Sequence, residues 1–137
     1  MLKNCDVVFY KKKNDFRSVV LENILKIVAE KGRIKLTSGK KFDKLAIPLT
    51  TDLISYKIFN EFVEGDIENL KKKNKKIITP LCLFLDKEVL LYAKLKKLKF
   101  KIHKERKDKI SEFIDDLEKK HLEVKRGIVN GFLKLEN

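Results

Sequence analysis

Lys44–Asp66, KLAIPLTTDLISYKIFNEFVEGD, holds a strand, a turn and a helix in immediate succession. Leu45-Ala46-Ile47-Pro48-Leu49 reads as a buried strand ending at Pro48, because proline has no backbone N–H to give to a sheet. Thr50, Thr51 or Asp52 can then cap a helix through Val63. Leu53, Ile54, Ile58, Phe59, Phe62 and Val63 cover most of its circumference, which predicts a heavily buried helix that stops at Gly65. A short strand feeding a buried helix is the repeating unit of an α/β protein.

The flanks extend this pattern. Asp6–Tyr10 reads as a strand ended by Lys11–Lys13, and Asp15 caps a helix from Phe16 to about Lys31. Phe16, Val20, Ile24, Ile27 and Val28 follow helical spacing there, and Gly32 stops it. Residues 33–43 are ambiguous: Arg33-Ile34-Lys35-Leu36 alternates like a strand and Ser38-Gly39-Lys40 reads as an exposed turn, without the second glycine of a phosphate loop. Downstream, Asp66 caps a short helix, Ile67–Leu70, that runs into Lys71–Lys76, and Ile77–Pro80 is extended. Asp86 caps a helix to about Lys97, Phe100–His103 is a short strand, and Ile110, Phe113, Ile114, Leu117 and His121 form one helical stripe. A last helix spans about Val124–Leu135. Strands alternating with helices give the α/β class with a helix-rich tail.

The 137 residues fit one domain, and 43% hydrophobic residues suffice for a single core. No apolar run approaches the ~18 residues of a membrane span, and the N-terminus lacks the features of a secretory signal, so a cytoplasmic protein is expected. Cys5 and Cys82 have no metal-ligand spacing; Cys82, among Leu81, Leu83 and Phe84, reads as a buried, inert thiol. The net charge of +13 favours polyanions, nucleic acid before membrane. Of the 33 basic residues 29 are Lys, point charges that suit phosphate backbones better than base edges. The expected RNA contacts are Lys71, Lys72, Lys73, Lys75 and Lys76 in one cluster and Lys101, Lys104, Arg106 and Lys107 in another.

No catalytic set emerges from residue types and spacing. His121 reads as a partly buried histidine and His103 as part of a solvated basic surface. Asp115, Asp116 and Glu118, beside Lys119 and Lys120, read as a charged outer helix face, and Asp52 as a helix cap.

Several short motifs share their order and spacing with one family. Pro80-Leu81, Asp86-Lys87-Glu88-Val89 and Tyr92-Ala93 resemble a "PL…EKEV…YA" segment, Phe113–His121 resembles "FLxxLExxH", and Ile128 through Gly131-Phe132 to Lys134-Leu135 resembles "I…GFxKL". Lys44-Leu45-Ala46 resembles the start of "KLATGHNxDD", and Gly65-Asp66-Ile67-Glu68 resembles "GDxE". Over residues 17–137 the chain is thus similar to the C-terminal half of the PP-loop ATPases that thiolate tRNA. The resemblance implies a truncated Rossmann-like (PP-loop, HUP-type) layer of short parallel strands. Residues 1–103 would form a partial α/β domain lacking the ATP-binding first unit, with 104–137 as a helical pair packed on it.

The departures bear on function. The family's "SGGxDS" phosphate loop has no counterpart, and Pro48-Leu49-Thr50-Thr51-Asp52-Leu53 replaces "GHNxDD", leaving Asp52 as the remnant of a degenerate nucleotide site. The family's two cysteines would fall at Asp15 and Ser18, and its zinc-binding cysteines are missing from 100–109. Leu49-Thr50-Thr51-Asp52-Leu53 resembles instead the "SLTRLA" of the non-catalytic partner subunit of the cytosolic tRNA thiolase. The expectation is a protein without cofactor or metal, with catalysis by this chain left open and the balance against it. It would bind tRNA or another RNA, a catalytic PP-loop thiolase subunit, or itself as a dimer, because a missing first unit would bare a sheet edge. Half of a split enzyme, or a basic RNA- or ribosome-associated protein unrelated to thiolation, are the alternatives; a helical bundle without a parallel sheet would favour the last.

Overall fold

The computed structural model describes residues 6–65, 76–102 and 108–136. In chain order the elements are β1 (Asp6–Tyr10), α1 (Phe16–Glu30), β2 (Ile34–Thr37), β3 (Lys44–Ala46), α2 (Thr51–Val63), β4 (Ile77–Ile78), α3 (Asp86–Leu95), α4 (Lys109–Lys120) and α5 (Val124–Glu136). The four strands are parallel in the order β2-β1-β3-β4, with Val8 opposite Leu36 on one side and Lys44 on the other. The parallel sheet removes the helical-bundle alternative.

From β1 the chain crosses outward to β2, then returns past β1 to β3 and continues to β4. The direction of travel reverses between β1 and β3. Right-handed crossovers that run in opposite directions put their helices on opposite faces. Accordingly α1 packs with β2 and α3, while α2 packs with α4 and α5. The main core lies under α1 and α3: Val8, Ile34 and Ala46 from the strands meet Val20, Leu21 and Leu25 from α1, Val89 and Ala93 from α3, and Leu81. Ile114 and Val129 are buried in the second helical layer.

Local chemistry sets the boundaries. Asp15 accepts a hydrogen bond from Ser18 N at 3.2 Å and starts α1, and Gly32, at φ 74°, lets the chain leave it. The ambiguous segment resolves into β2 followed by a turn in which Gly39 N donates to the Thr37 hydroxyl. Thr50 caps α2, its hydroxyl accepting from Leu53 N. β3 ends at Ala46, two residues before Pro48. α3 stops at Leu95, short of Lys97, because Lys97 takes a left-handed conformation (φ 53°) that brings Leu98 N onto Ala93 O at 3.0 Å. The strand expected at Phe100–His103 is reduced, among the described residues, to one parallel bridge between Asp15 and Lys101.

Three other expectations change. The apolar side chains of α2 are not its buried face: Phe62 and Val63 are 62% and 59% exposed, whereas Thr51, Asp52 and Ser55 are buried. His121 is exposed at the end of α4, and Cys82 is half-buried. β1 is an interior strand, so the outer strands are β2 and β4. The expected short helix at 67–70 and His103 lie outside the described residues. No helix among the described residues is long and apolar enough to cross a membrane.

Leu81 is fully buried and Leu95 is 73% exposed. In urea titrations Leu81→Ala should cost about 2–5 kcal/mol, while Leu95→Ala should stay within about 0.5 kcal/mol of the parent. Equal costs would contradict this placement of the core.

Candidate functional site

At the carboxyl ends of β1 and β3 the helix starts converge, and a chain of polar contacts joins them. Arg17, in the first turn of α1, is buried and grips Asp86 of α3 through two bonds, Nε to Oδ1 at 2.8 Å and Nη2 to Oδ2 at 2.7 Å. The Thr50 hydroxyl donates to the same carboxylate at 2.7 Å, and Asp86 N donates to Asp52 Oδ1 at 2.9 Å. Asp86 is therefore no cap; Glu88 caps α3 instead by accepting from Leu85 N at 2.9 Å. Asp52 does not cap α2 either. It joins the start of α2 to the start of α3 and sends its other oxygen to Lys125.

Lys125 is the centre of this network. Its side chain is 6% exposed, and Nζ lies 2.5 Å from Asp52, 2.7 Å from Asp115 and 2.9 Å from Glu118. The Tyr56 hydroxyl donates to Asp115 at 2.6 Å. Asp115 and Glu118 thus point inward, against the sequence expectation, while Asp116 stays outside beside Lys119. Burial works against the charge on Lys125, but its hydrogen-bonded ion pairs with Asp115, Asp52 and Glu118 outweigh it and raise the pKa. Burial and the bond to Asp115 likewise raise Tyr56, opposed in part by Lys125.

The carboxylates of Asp52, Asp115 and Glu118 approach one another closely enough to hold a metal ion. The Lys125 ammonium already contacts all three, so an internal cation occupies the position and offsets part of their charge. Its acids are consumed by holding α2, α4 and α5 together.

The two expected RNA-binding clusters fare differently. Lys71, Lys72, Lys73, Lys75, Lys104, Arg106 and Lys107 lie outside the described residues. Lys76 precedes β4 and lines a cleft of about 410 Å³ with Lys40, Lys41, Asp43, Val7 and Phe42, at the amino ends of the strands. Lys101 is at the other end: its N–H donates to Asn14 O at 2.8 Å, beside the loop that follows β1. Lys76 and Lys101 therefore sit at opposite ends of the strands.

Lys125, Arg17 and Tyr56 were not singled out in the sequence. A signal existed for the first. Lys125, Val129 and Phe132 share the inward stripe of α5, and a lysine on an apolar stripe calls for buried acids.

No protein-family model matches the chain, and no curated protein matches it. Among solved structures it is similar to the U34-tRNA thiolase NcsA from Methanococcus maripaludis with its 4Fe-4S cluster. The TM-score is 0.75 at 21% identity, and the likeness covers 98% of this chain and 73% of that one. The chain has the fold of a PP-loop tRNA thiolase. Four-iron clusters are held by cysteine thiolates. This chain offers Cys5 and the half-buried Cys82, which stands in the turn before α3 where its carbonyl accepts from the Thr51 hydroxyl. These residues do not fit such a cluster. Nor does the loop after β1 fit a nucleoside triphosphate. Lys11–Asp15 has no glycine, and the Asp15 carboxylate occupies the N-terminus of α1 that a phosphate would need.

Replacing Lys125 leaves three acids facing one another. Lys125→Met should cost about 3–5 kcal/mol in chemical denaturation; a loss below about 1 kcal/mol would show that the ammonium does not hold the helices. Both Lys125 and Tyr56 have raised pKa values, from ordinary values of 10.5 and 10.0. Their contribution is complete below about pH 10 and is lost as pH climbs through the raised folded values. The urea midpoint should fall in that alkaline range, and less steeply in Tyr56→Phe; an unchanged slope would contradict the Tyr56–Asp115 bond.

Proposed function

We propose that this chain is a non-catalytic, tRNA-thiolation-like protein that binds tRNA, a catalytic PP-loop thiolase, or both. The observation that carries the reading is the pairing of a thiolase fold over nearly the whole chain with a glycine-free loop after β1, Lys11-Lys12-Lys13-Asn14-Asp15. In open α/β sheets the ligand crevice lies at the carboxyl ends of the strands, where the strand order reverses. Here that position carries lysines and a capping carboxylate where a triphosphate needs glycines and open N–H groups.

The surrounding chemistry agrees with a binding role. Beyond the capping Asp15, the acids Asp52 and Asp86 at the neighbouring helix starts are both engaged, one by Lys125 and the other by Arg17. A net charge of +13 carried mainly by Lys suits a phosphate backbone. A cytoplasmic setting, beside the tRNA pool, goes with this reading.

The test is a pull-down from native extract, with bound protein and RNA analysed together at low and high salt. tRNA and a PP-loop thiolase should be recovered at low salt, with the tRNA lost as salt rises. Recovery of neither, while a known thiolase subunit retrieves both, would refute the reading. ATPase activity that appears only on mixing this chain with the recovered protein would replace it with a split enzyme.

A further inference from the structure

The loop after β1 carries Lys11, Lys12 and Lys13, all exposed. The bridge between Asp15 and Lys101, with Lys101 N bonded to Asn14 O, lays the extended segment after α3 against this loop. Phe100 turns inward there and meets Phe16 with ring centroids 6.4 Å apart. Side chains alternate along an extended chain, so Lys99 and Lys101 face away from Phe100, and both are exposed. Five lysines from two distant stretches are thus gathered at the reversal of strand order. The one acid within these stretches, Asp15, has its carboxylate turned to Ser18 N.

We infer that Lys11, Lys12, Lys13, Lys99 and Lys101 form one contact surface for the phosphate backbone of RNA. This rests on the RNA-binding reading above and gives it a place. Several point charges with long, mobile stems suit a row of separate phosphates. A single nucleotide would want a cradle of backbone N–H groups, which this loop does not offer. The cleft at the amino ends of the strands is less suited, since Asp43 lines it together with Lys40, Lys41 and Lys76.

The test measures binding of purified tRNA to the full chain by fluorescence anisotropy, from low to moderate salt. Four proteins are compared: wild type, Lys11→Gln/Lys12→Gln/Lys13→Gln, Lys35→Gln/Lys40→Gln/Lys41→Gln, and Lys11→Arg/Lys12→Arg/Lys13→Arg. All six lysines are exposed, so circular dichroism should report the same fold in each. Each phosphate contact contributes about 0.7–0.9 to the slope of log affinity against log salt. The loop variant should therefore lose about 2 from that slope, while the second variant keeps the wild-type value. The triple Arg substitution at 11–13 should restore the slope, because it keeps the charge. A full slope in the loop variant, or a loss confined to the second variant, overturns the placement while tRNA binding itself stands. No binding by the wild type, or binding to anionic phospholipid vesicles in place of tRNA, removes both.

Discussion

Lys125 carries a positive charge into a part of the protein that water scarcely reaches, and three carboxylates within 2.9 Å receive it. Isolated charges are too costly to bury, so the arrangement persists only if every partner is delivered together. α2 delivers Asp52 and Tyr56, α4 delivers Asp115 and Glu118, and α5 delivers the lysine. Asp52 passes the constraint to α3 through Asp86 N, and Asp86 passes it to α1 through Arg17. All five described helices are therefore tied to one polar chain running around the carboxyl end of the sheet. Apolar residues of similar shape would stabilise a core about as well. What the network adds is direction, because only one seating of α4 and α5 on α2 satisfies it.

That constraint also sorts the charges. The acids that might have served chemistry near the sheet end are occupied by internal cations, while the unburied lysines face outward. The unburied lysines are then the charges open to an anion, whereas the buried cluster sets one ammonium among three carboxylates. The proposed role, holding RNA or a partner that performs the reaction, draws on that outward charge. Asp15 makes the same point locally: its carboxylate completes α1 with a group the protein already owns.

Much of the fold was legible because strands and helix starts carry local signals. β1 and α1 followed from Val7-Val8-Phe9, Asp15 and Gly32, and the α/β class from their alternation with α2 and α3. The edges of β3 and α3 were misjudged by two or three residues, where Pro48 and the left-handed Lys97 end elements before the apolar pattern does. The site was harder to read. Asp52, Asp115 and Glu118 looked like a cap and a solvated face because helical periodicity alone does not say which polar face turns inward. Tertiary packing decides that, through a lysine 73 residues from Asp52. For the same reason α2, which looked apolar nearly all round, buries Thr51, Asp52 and Ser55 and leaves Phe62 and Val63 in water.

The central claim, a thiolase fold that has exchanged nucleotide chemistry for binding, is tested most directly by titrating the labelled protein with magnesium-ATP and following the amide resonances of Asn14–Ser18 and Thr50–Asp52. These amides should keep their positions at millimolar ATP, because Asp15 and Thr50 already cap the helices that a triphosphate would approach. Saturable shifts confined to those amides would mean that the crevice still takes a nucleotide, and would contradict the claim.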